Sequence, residues 1–345
     1  MVSSFWPVAL FLRSYGWLAS KKNWRRLPIA GKTIKDGRAE MRILMIRPGA
    51  LGDTLLVVPI LQALQEQYAP CEILFVGNTA LLPLLQATGP VTATFDYEEP
   101  RWGRLFIPHH MTTRPLLAGL PEQIDWAICW LQDTEGVVER NLRAAAIPRV
   151  TVAPGKPAMN DTLHCVDHLA RTLALPGLLS HQHAYLADCF PGEEDLPLQR
   201  AQIAIHPGSG GKEKCWPPAA FAQVITGLWE RERAVVLLGG PAEHERVSLL
   251  QELLPVPPFQ GALTLWLNLP LLQLAQQLRR CYCYLGNDSG ITHLAALSGL
   301  PTIALFGPSN PLHWHPIGPT VTILAASELS SLLPTQVLKQ IALFG

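Results

Sequence analysis

The sequence predicts an α/β protein with two parallel-sheet domains that face each other across a cleft. From residue 41 onward, short apolar runs alternate with amphipathic stretches, a pattern typical of parallel sheets covered by helices. The alternation weakens in the charged, Pro/Gly-rich stretch 189–200 and then begins again. With 345 residues, 48% of them hydrophobic, the chain is long enough to form two cores of similar size.

Each half is predicted to alternate strands with helices. The apolar runs that predict strands lie at 42–47, 72–77, 91–95, 126–130, 203–206, 234–239, 281–286 and 302–307. Helical periodicity marks 54–67, 79–86, 218–229, 243–254, 271–279 and 290–298. We therefore expect domains at 41–185 and 200–345, with a linker near 180–200. The terminal stretch 333–344 is also predicted to be helical and could brace either domain, including by packing back on the first one.

The first 40 residues differ from the rest of the chain in charge and pattern. They contain eight Lys and Arg residues against two acids, an excess of +6 in a chain whose formal net charge is zero. Apolar residues at helical spacing, nearby tryptophans and the basic motif "KKNWRR" resemble an interfacial membrane helix. A helix packed on the protein's own surface, or a frayed tail, is the alternative.

Composition and cysteine usage argue against several classes of protein. A formal net charge of zero gives no overall field that would attract nucleic acid. The seven cysteines include no C-x-x-C pair, which argues against a zinc site and a disulfide framework. The N-terminus lacks the cleavage site of a signal peptide, and no apolar run reaches the ~18 to 20 residues of a membrane span. We therefore expect a cytoplasmic protein that binds no nucleic acid.

The stretch "GNDSGITHL" (286–294) is the richest candidate for a binding site. It follows a predicted strand, and Asn287, Asp288 and Ser289 are favoured helix N-cap residues. A helix that begins near Gly290 directs free N–H groups and its positive dipole end towards the cleft, which suits a diphosphate. His293 on the first turn could reach a phosphate or a ribose. An ordinary capped helix is the structural alternative.

A second loop, "HPGSGGKEKCWP" (206–217), also follows a predicted strand. Its small residues 208–211 let the backbone approach a ligand closely, and Ser209 can donate to a phosphate. Lys212 and Lys214 supply cations within the same loop. Neither loop has the spacing of the dinucleotide fingerprint or of the P-loop, which gives a dehydrogenase or an ATPase little support. The alternative is a flexible surface loop with solvated lysines.

Two acids lie at the starts of predicted helices. Glu243 in "LGGPAEHER" (238–246) could accept a hydrogen bond from a sugar hydroxyl, or simply favour the positive end of the helix. Asp53 in "RPGALGDTLL" (47–56) lies where a strand ends and a helix begins. A carboxylate there can accept a proton from a reacting hydroxyl. The structural alternative for Asp53 is a helix N-cap.

Several stretches, in the right order, resemble motifs of one family, the ADP-heptose:lipopolysaccharide heptosyltransferases (glycosyltransferase family 9). They are "RILMIRPGALGDTLLVVPILQAL", "HCVDHLARTLAL", "HPGSGGKEKCWP", "GGPAEHER" and "GNDSGITHLAALSGLPTIALFGPSNP". The resemblance covers about residues 41–320 and implies the GT-B fold, in which two Rossmann-like domains face across a cleft. It also implies that the C-terminal domain binds the sugar nucleotide, that the N-terminal domain receives the acceptor, and that transfer inverts the anomeric centre without a metal.

The resemblance also assigns site residues by motif. Asp53 matches the general base, and Lys214 is preferred to Lys212 because it stands two residues before "WP". Asp53 and Lys214 are therefore the expected catalytic residues. The expected nucleotide-sugar ligands are Ser209, Gly210, Lys214, Glu243, Asp288, Ser289, Gly290 and His293.

The expected function is transfer of a heptose, or a related sugar, from an ADP-sugar to a lipid-linked glycan at the inner face of the cytoplasmic membrane. No cofactor or metal is expected. Three alternatives stay open: a glycosyltransferase that uses another nucleotide sugar for a different surface glycan, a GT-B-like epimerase that needs no acceptor, and a nucleotide-sugar binding protein. The sequence leaves the donor base, the acceptor and the oligomeric state open.

Overall fold

The computed structural model describes residues 41–344, apart from 88, 112–116, 121–122, 159 and 176–201. The expected interfacial helix in residues 1–40 and the expected linker near 180–200 lie outside these described residues. The domain boundaries drawn from the sequence therefore stay predictions. Within the described residues, no helix has an apolar stretch long enough to cross a membrane.

The first half of the chain forms a five-stranded sheet in the order β3-β2-β1-β4-β5, with every pair of neighbours parallel. Its strands are β1 (Met41–Ile46), β2 (Cys71–Gly77), β3 (Val91–Asp96), β4 (Trp126–Cys129) and β5 (Arg149–Val152). The helices are α1 (Leu51–Leu55), α2 (Val58–Tyr68), α3 (Leu82–Ala87), α4 (Val137–Ala144) and α5 (Cys165–Thr172).

The second half forms a six-stranded parallel sheet in the order β11-β10-β9-β6-β7-β8. Its strands are β6 (Gln202–His206), β7 (Ala234–Gly239), β8 (Leu263–Leu267), β9 (Cys283–Asn287), β10 (Thr302–Phe306) and β11 (Val321–Ala325). The helices are α6 (Pro218–Trp229), α7 (His244–Leu253), α8 (Leu271–Leu278), α9 (Gly290–Leu297), α10 (Pro311–Trp314) and α11 (Pro334–Ile341). The predicted fold class, two parallel-sheet α/β domains, is confirmed.

The inner strands are buried on both faces, which explains their continuous apolar sequences. All five residues of β9 and of β10 are buried, as are the last four of β1. One cluster of buried apolar residues includes Leu56, which follows α1, and Leu294 on α9. The two halves of the protein are therefore in apolar contact next to the ends of these helices.

Three strands that the sequence analysis missed are all edge strands. Strands β5, β8 and β11 each pair on one side only within the described sheets, and most of their residues are only partly buried. An edge strand does not need apolar side chains on both faces, which fits the weak apolar signal of β5 (RVTV). Strands β8 (LTLWL) and β11 (VTILA) are largely apolar, so their sequences did carry a signal. Helix α4 was missed as well.

The predicted helix 54–67 is divided into α1 and α2 because Pro59 lies in the first turn of α2 and has no N–H to continue the helix from α1. The terminal stretch is helical as predicted, and its helix α11 packs in the second half of the chain. Its buried side chains, Val337 and Ile341, belong to a core of the second sheet, and α11 contacts α6 and β10.

Candidate active site at the contact between the two sheets

The predicted site residues lie at the carboxyl ends of strands near the topological switch point of each sheet, where the strand order reverses. In the first sheet, β1 lies between β2 and β4; in the second, β6 lies between β7 and β9. Asp53 follows β1, the glycine loop 207–214 follows β6, and Asp288 follows β9. Open parallel sheets bind ligands at these positions, so the topology places the candidate residues of both halves where a ligand would bind.

Asp53 lies inside α1 and does not cap it. The N-cap is Ala50, which makes no side-chain cap bond, and Asp53 is in the first turn of the helix. The cap alternative for Asp53 is therefore wrong. The carboxylate is 16% exposed, with Oδ1 3.6 Å from Nη2 of Arg47 and Oδ2 3.8 Å from Nζ of Lys156.

The two cations beside Asp53 were missed from the sequence. Arg47 directly follows β1 and is almost fully buried. From the sequence it was predicted to be the last residue of the strand 42–47. Lys156 follows the edge strand β5, which was itself not recognised. The ammonium group of Lys156 lies 5.6 Å from the ring centre of Trp314, a residue of the second half. Lys156 thus contacts both halves of the protein.

The glycine loop and the loop after β9 are joined by side-chain hydrogen bonds. Ser209 Oγ donates to the carbonyl oxygen of Asp288 at 2.6 Å, and Lys214 Nζ donates to Asp288 Oδ2 at 3.0 Å. Lys212 is exposed on the same short turn. The structure therefore brings Ser209, Lys214 and Asp288 together and leaves Lys212 outside this group.

Buried hydrogen bonds fix the start of α9 against the glycine loop. Ser289 is the N-cap, as predicted, and accepts a bond from the Thr292 N–H. The Asn287 side chain donates to the carbonyl oxygens of Pro207 and Gly208 and accepts from the Trp216 N–H. These bonds hold the loop and the positive end of the eight-residue helix side by side, an arrangement suited to an anion.

Glu243 closes the other side of the glycine loop. It ends a short 3₁₀ turn and occupies the N-cap position of α7, rather than starting that helix as predicted. Its Oε2 accepts a bond from the Gly240 N–H at 2.9 Å and lies 4.0 Å from Nε2 of His206. The His206 imidazole holds the pKa of Glu243 below its ordinary value, against the opposing effect of burial. A side chain at Gly208 would overlap with Glu243.

His206 is a further residue that the sequence analysis missed. Its Nδ1 lies 3.5 Å from Ser289 Oγ, while its other ring nitrogen faces Glu243. This buried imidazole, on the last residue of β6, therefore stands between the loop that holds Glu243 and the cap of α9. A polar residue at the end of an otherwise apolar strand was the available signal.

His293 lies at the contact between α1 and α9. A Cβ added at Gly52 would be 3.2 Å from Cδ2 of His293, and one added at Gly290 would be 2.5 Å from Cβ of Leu51. Burial lowers the pKa of His293 to about 4. The nearby charges of Asp288 and Asp53 oppose this shift. The imidazole is therefore neutral near pH 7 and lies within the electrostatic reach of acids from both halves.

Behind this contact, two more histidines join the halves of the protein. Nδ1 of His164 accepts the Val166 N–H and caps α5, so its Nε2 donates to the carbonyl oxygen of His315, 2.9 Å away. The two imidazole rings are 4.2 Å apart. Burial is the main cause that lowers the pKa of His164, to about 3.

The described residues include no group of three or more His, Cys, Asp or Glu side chains arranged to hold a metal ion. The positive charge at the site comes from Lys214, Lys156, Arg47 and the start of α9. Lys214 and the start of α9 can bind and stabilise a diphosphate, and Asp53, beside Arg47 and Lys156, supplies a carboxylate nearby. That activity requires no metal stays a prediction.

Comparison with known proteins agrees with the geometry of the site. Residues 137–338 match the family model of glycosyltransferase family 9 (heptosyltransferase). Lipooligosaccharide heptosyltransferase 2 of Haemophilus influenzae is 24% identical over 322 residues, covering 84% of this chain and 89% of the relative.

Solved structures show the same fold. A family 9 glycosyltransferase from Veillonella parvula superposes with a TM-score of 0.68 at 20% identity, covering 88% of this chain and 97% of the other. The E. coli heptosyltransferase WaaC with ADP has a TM-score of 0.68 at 19% identity, covering 88% and 100%. These two structures share the GT-B architecture predicted for this chain.

The family match extends over more than half of the chain and contains the glycine loop, Glu243 and the start of α9. It supports a transferase over the epimerase and binding-protein alternatives. This protein is an enzyme that belongs to glycosyltransferase family 9 (heptosyltransferase).

Proposed function

We propose that this enzyme transfers a heptose from ADP-heptose to a sugar hydroxyl of a lipopolysaccharide core, with inversion and without a metal. Similarity to heptosyltransferases supports the sugar and the acceptor, and similarity to a structure that contains ADP supports the base of the donor. The proposal assigns the donor to the second half of the protein and the acceptor to the first.

One observation carries the proposal: a carboxylate from the first half and a phosphate-binding arrangement from the second meet at the same contact. Gly52, next to Asp53, packs against His293 on the first turn of α9. The start of α9 is joined to the glycine loop through the bonds of Asp288 to Ser209 and Lys214. A sugar held by its diphosphate at this loop would present its anomeric carbon towards Asp53.

In the proposed reaction, Asp53 accepts the proton of the acceptor hydroxyl while the hydroxyl oxygen attacks the anomeric carbon. The bond between that carbon and the diphosphate breaks, and the nucleoside diphosphate leaves with the electron pair. Lys214 and the N–H groups at the start of α9 stabilise the charge that grows on the leaving diphosphate. The base and the leaving-group site lie on different halves of the protein, an arrangement that fits attack from the side opposite the departing group and inversion of the centre.

The remaining donor contacts are assigned by position. Ser209 and Gly210 offer the hydroxyl and backbone of the glycine loop to the phosphates, and Ser289 and Gly290 offer the cap and first N–H groups of α9. Glu243 is held as a carboxylate by His206 and the Gly240 N–H, so it can accept hydrogen bonds from sugar hydroxyls.

The acceptor is proposed to be lipid-linked and to lie at the inner face of the cytoplasmic membrane. The basic excess of +6 in residues 1–40 supports attachment to an anionic surface, since each basic residue near such a surface adds about 1 kcal/mol. A truncated protein that starts at Met41 should float less with anionic liposomes than the full chain. Equal flotation would contradict a membrane role for this segment.

The proposed function is tested with a panel of nucleotide sugars, each assayed with and without a lipopolysaccharide core acceptor. Release of nucleoside diphosphate should be greatest with ADP-heptose and should require the acceptor. In parallel, the true donor at 100 times its Kd should stabilise the protein by about 2.7 kcal/mol in thermal unfolding. Preference for another nucleotide sugar would overturn the donor assignment, and conversion of the donor without an acceptor would favour an epimerase.

A further inference from the structure

Arg47 is a buried cation whose hydrogen bonds are incomplete. Its side chain is 4% exposed, and neither Nε nor Nη2 has a hydrogen-bond partner within the described part of the chain. Nearly all buried polar groups in proteins are hydrogen-bonded, and a buried charge is unfavourable unless it is well paired. The carboxylate that faces these nitrogens belongs to Asp53, with Oδ1 3.6 Å from Nη2.

Gly155 makes room for the guanidinium group. A Cβ at this position would overlap with Nη1 of Arg47 and would lie 2.8 Å from Cζ. The backbone of Gly155 does not have a positive φ, so the local conformation does not require glycine. The space that glycine leaves is filled by the head of Arg47, which fixes the position of the guanidinium group beside Asp53.

The two oxygens of Asp53 have neighbours of very different mobility. Oδ1 faces the buried Arg47, whereas Oδ2 lies 3.8 Å from Lys156, whose side chain is 63% exposed. Lys156 can move into solvent without disturbing the core, but Arg47 cannot. One oxygen therefore has a fixed partner, and the other can be freed for a substrate.

We infer that Arg47 is a positioning residue for Asp53, an assignment that rests on the proposed function. Arg47 holds Oδ1 and so orients the carboxylate, and Oδ2 accepts the proton of the acceptor hydroxyl after Lys156 moves away. Bonds of this kind are often long without substrate and shorten in the reactive complex.

Five variants test this assignment: Arg47→Met, Arg47→Lys, Arg47→Ala, Gly155→Ala, and Gly155→Ala combined with Arg47→Ala. Each is measured for kcat, for acceptor KM and for affinity towards the nucleoside diphosphate. A misplaced catalytic group lowers the rate by about 100-fold without weakening donor binding. Arg47→Met should lower kcat by about tenfold to 100-fold, with KM and nucleotide affinity within about twofold of the parent. Arg47→Lys should recover part of the loss because it restores a cation.

Gly155→Ala is the sharpest variant, since it displaces the guanidinium group without removing it. It should lower kcat in the parent protein, yet change little in the Arg47→Ala background, where the added methyl group has space. Thermal unfolding identifies any variant that folds poorly. If Arg47→Met is such a variant, the comparison of Gly155→Ala in the two backgrounds decides the question.

Three results would overturn the assignment. The first is an unchanged kcat in Arg47→Met, and the second is a nucleotide affinity that falls together with kcat in that variant. The third is an equal loss of kcat from Gly155→Ala in the parent and in the Arg47→Ala background. Failure of the proposed function looks different: the parent protein would then transfer no sugar from any nucleotide donor. If the parent protein transfers the sugar and the Arg47 variants have the same kcat as the parent, only the positioning role of Arg47 is excluded.

Discussion

Gly52 and His293 lie against each other across the two halves of the protein, and a side chain at Gly52 would crowd the imidazole. A Cβ at Gly52 would lie 3.2 Å from Cδ2 and 3.5 Å from Nε2 of His293. Helices α1 and α9 therefore meet at their N-terminal ends, and Asp53 is brought to the start of α9 by the backbone itself.

Gly290→Ala should separate these two helices. The added Cβ would lie 2.5 Å from Cβ of Leu51 and 2.9 Å from the backbone nitrogen of Gly52, so the helices must move apart. We expect a loss of about 1–3 kcal/mol in unfolding free energy, as for other overpacked sites, together with a lower kcat. Gly103→Ala is the matched control, because nothing lies within 4 Å of the added atom. Equal melting temperatures and rates for both variants would contradict the close contact.

Lys214→Ala should weaken binding of the nucleoside diphosphate and slow transfer. A hydrogen bond to a charged group contributes about 1.5–3 kcal/mol, so we expect affinity to fall about tenfold to 100-fold by calorimetry. Lys212→Ala is the control: its side chain is exposed on the same turn and should matter less. Equal and negligible effects of the two changes would place the phosphates elsewhere.

Acid should weaken the protein through His164. Its folded pKa of about 3 is below the ordinary 6.5, so between these values the unfolded chain binds a proton that the folded protein does not. The free energy of unfolding therefore falls as the pH is lowered from 6.5 towards 3. This histidine alone accounts for a loss on the order of 1–2 kcal/mol between pH 7 and pH 5.

His164→Asn is the informative variant, since Asn can still cap α5 but does not titrate. Melting temperatures measured from pH 7 to pH 5 should fall less steeply for this variant than for the parent. Its lost bond to His315 lowers the stability at every pH and does not affect the slope. Parallel curves would show that His164 is already charged, or well hydrated, in the folded protein.

Transfer should continue in the presence of excess EDTA. Lys214 and the start of α9 supply the positive charge that a divalent metal would otherwise supply to the leaving diphosphate. The measurement is the rate of transfer after dialysis against EDTA, with and without added magnesium or manganese. Complete loss of activity, restored by either metal, would contradict this part of the mechanism.

The central strands and the cap of α9 could be predicted because their signals are local. Strands buried on both faces have continuous apolar sequences, and the Ser289 cap follows from residue type. The edge strand β5 (RVTV) lacks such an apolar run, whereas β8 (LTLWL) and β11 (VTILA) have one and could have been recognised in the same way.

The surroundings of Asp53 depend on the packing of distant segments and were missed. Lys156 reaches Asp53 from the loop after β5, and Arg47 reaches it because Gly155 leaves room. The position of Asp53 inside α1 was also missed, because Asp is common at helix caps and the sequence does not show that the helix already begins at Leu51.

The most direct test of the central claim is turnover by Asp53→Asn. Asn has nearly the same shape as Asp but cannot accept a proton at neutral pH. The change also leaves the helix cap intact, because the N-cap of α1 is Ala50. We expect kcat to fall by about 10² to 10⁴, the usual contribution of a positioned general base, with nucleotide affinity little changed. The melting temperature should fall as well, because the buried Arg47 loses the charge that faces it. A variant that binds the nucleotide and turns over like the parent would contradict the role of Asp53 as the base.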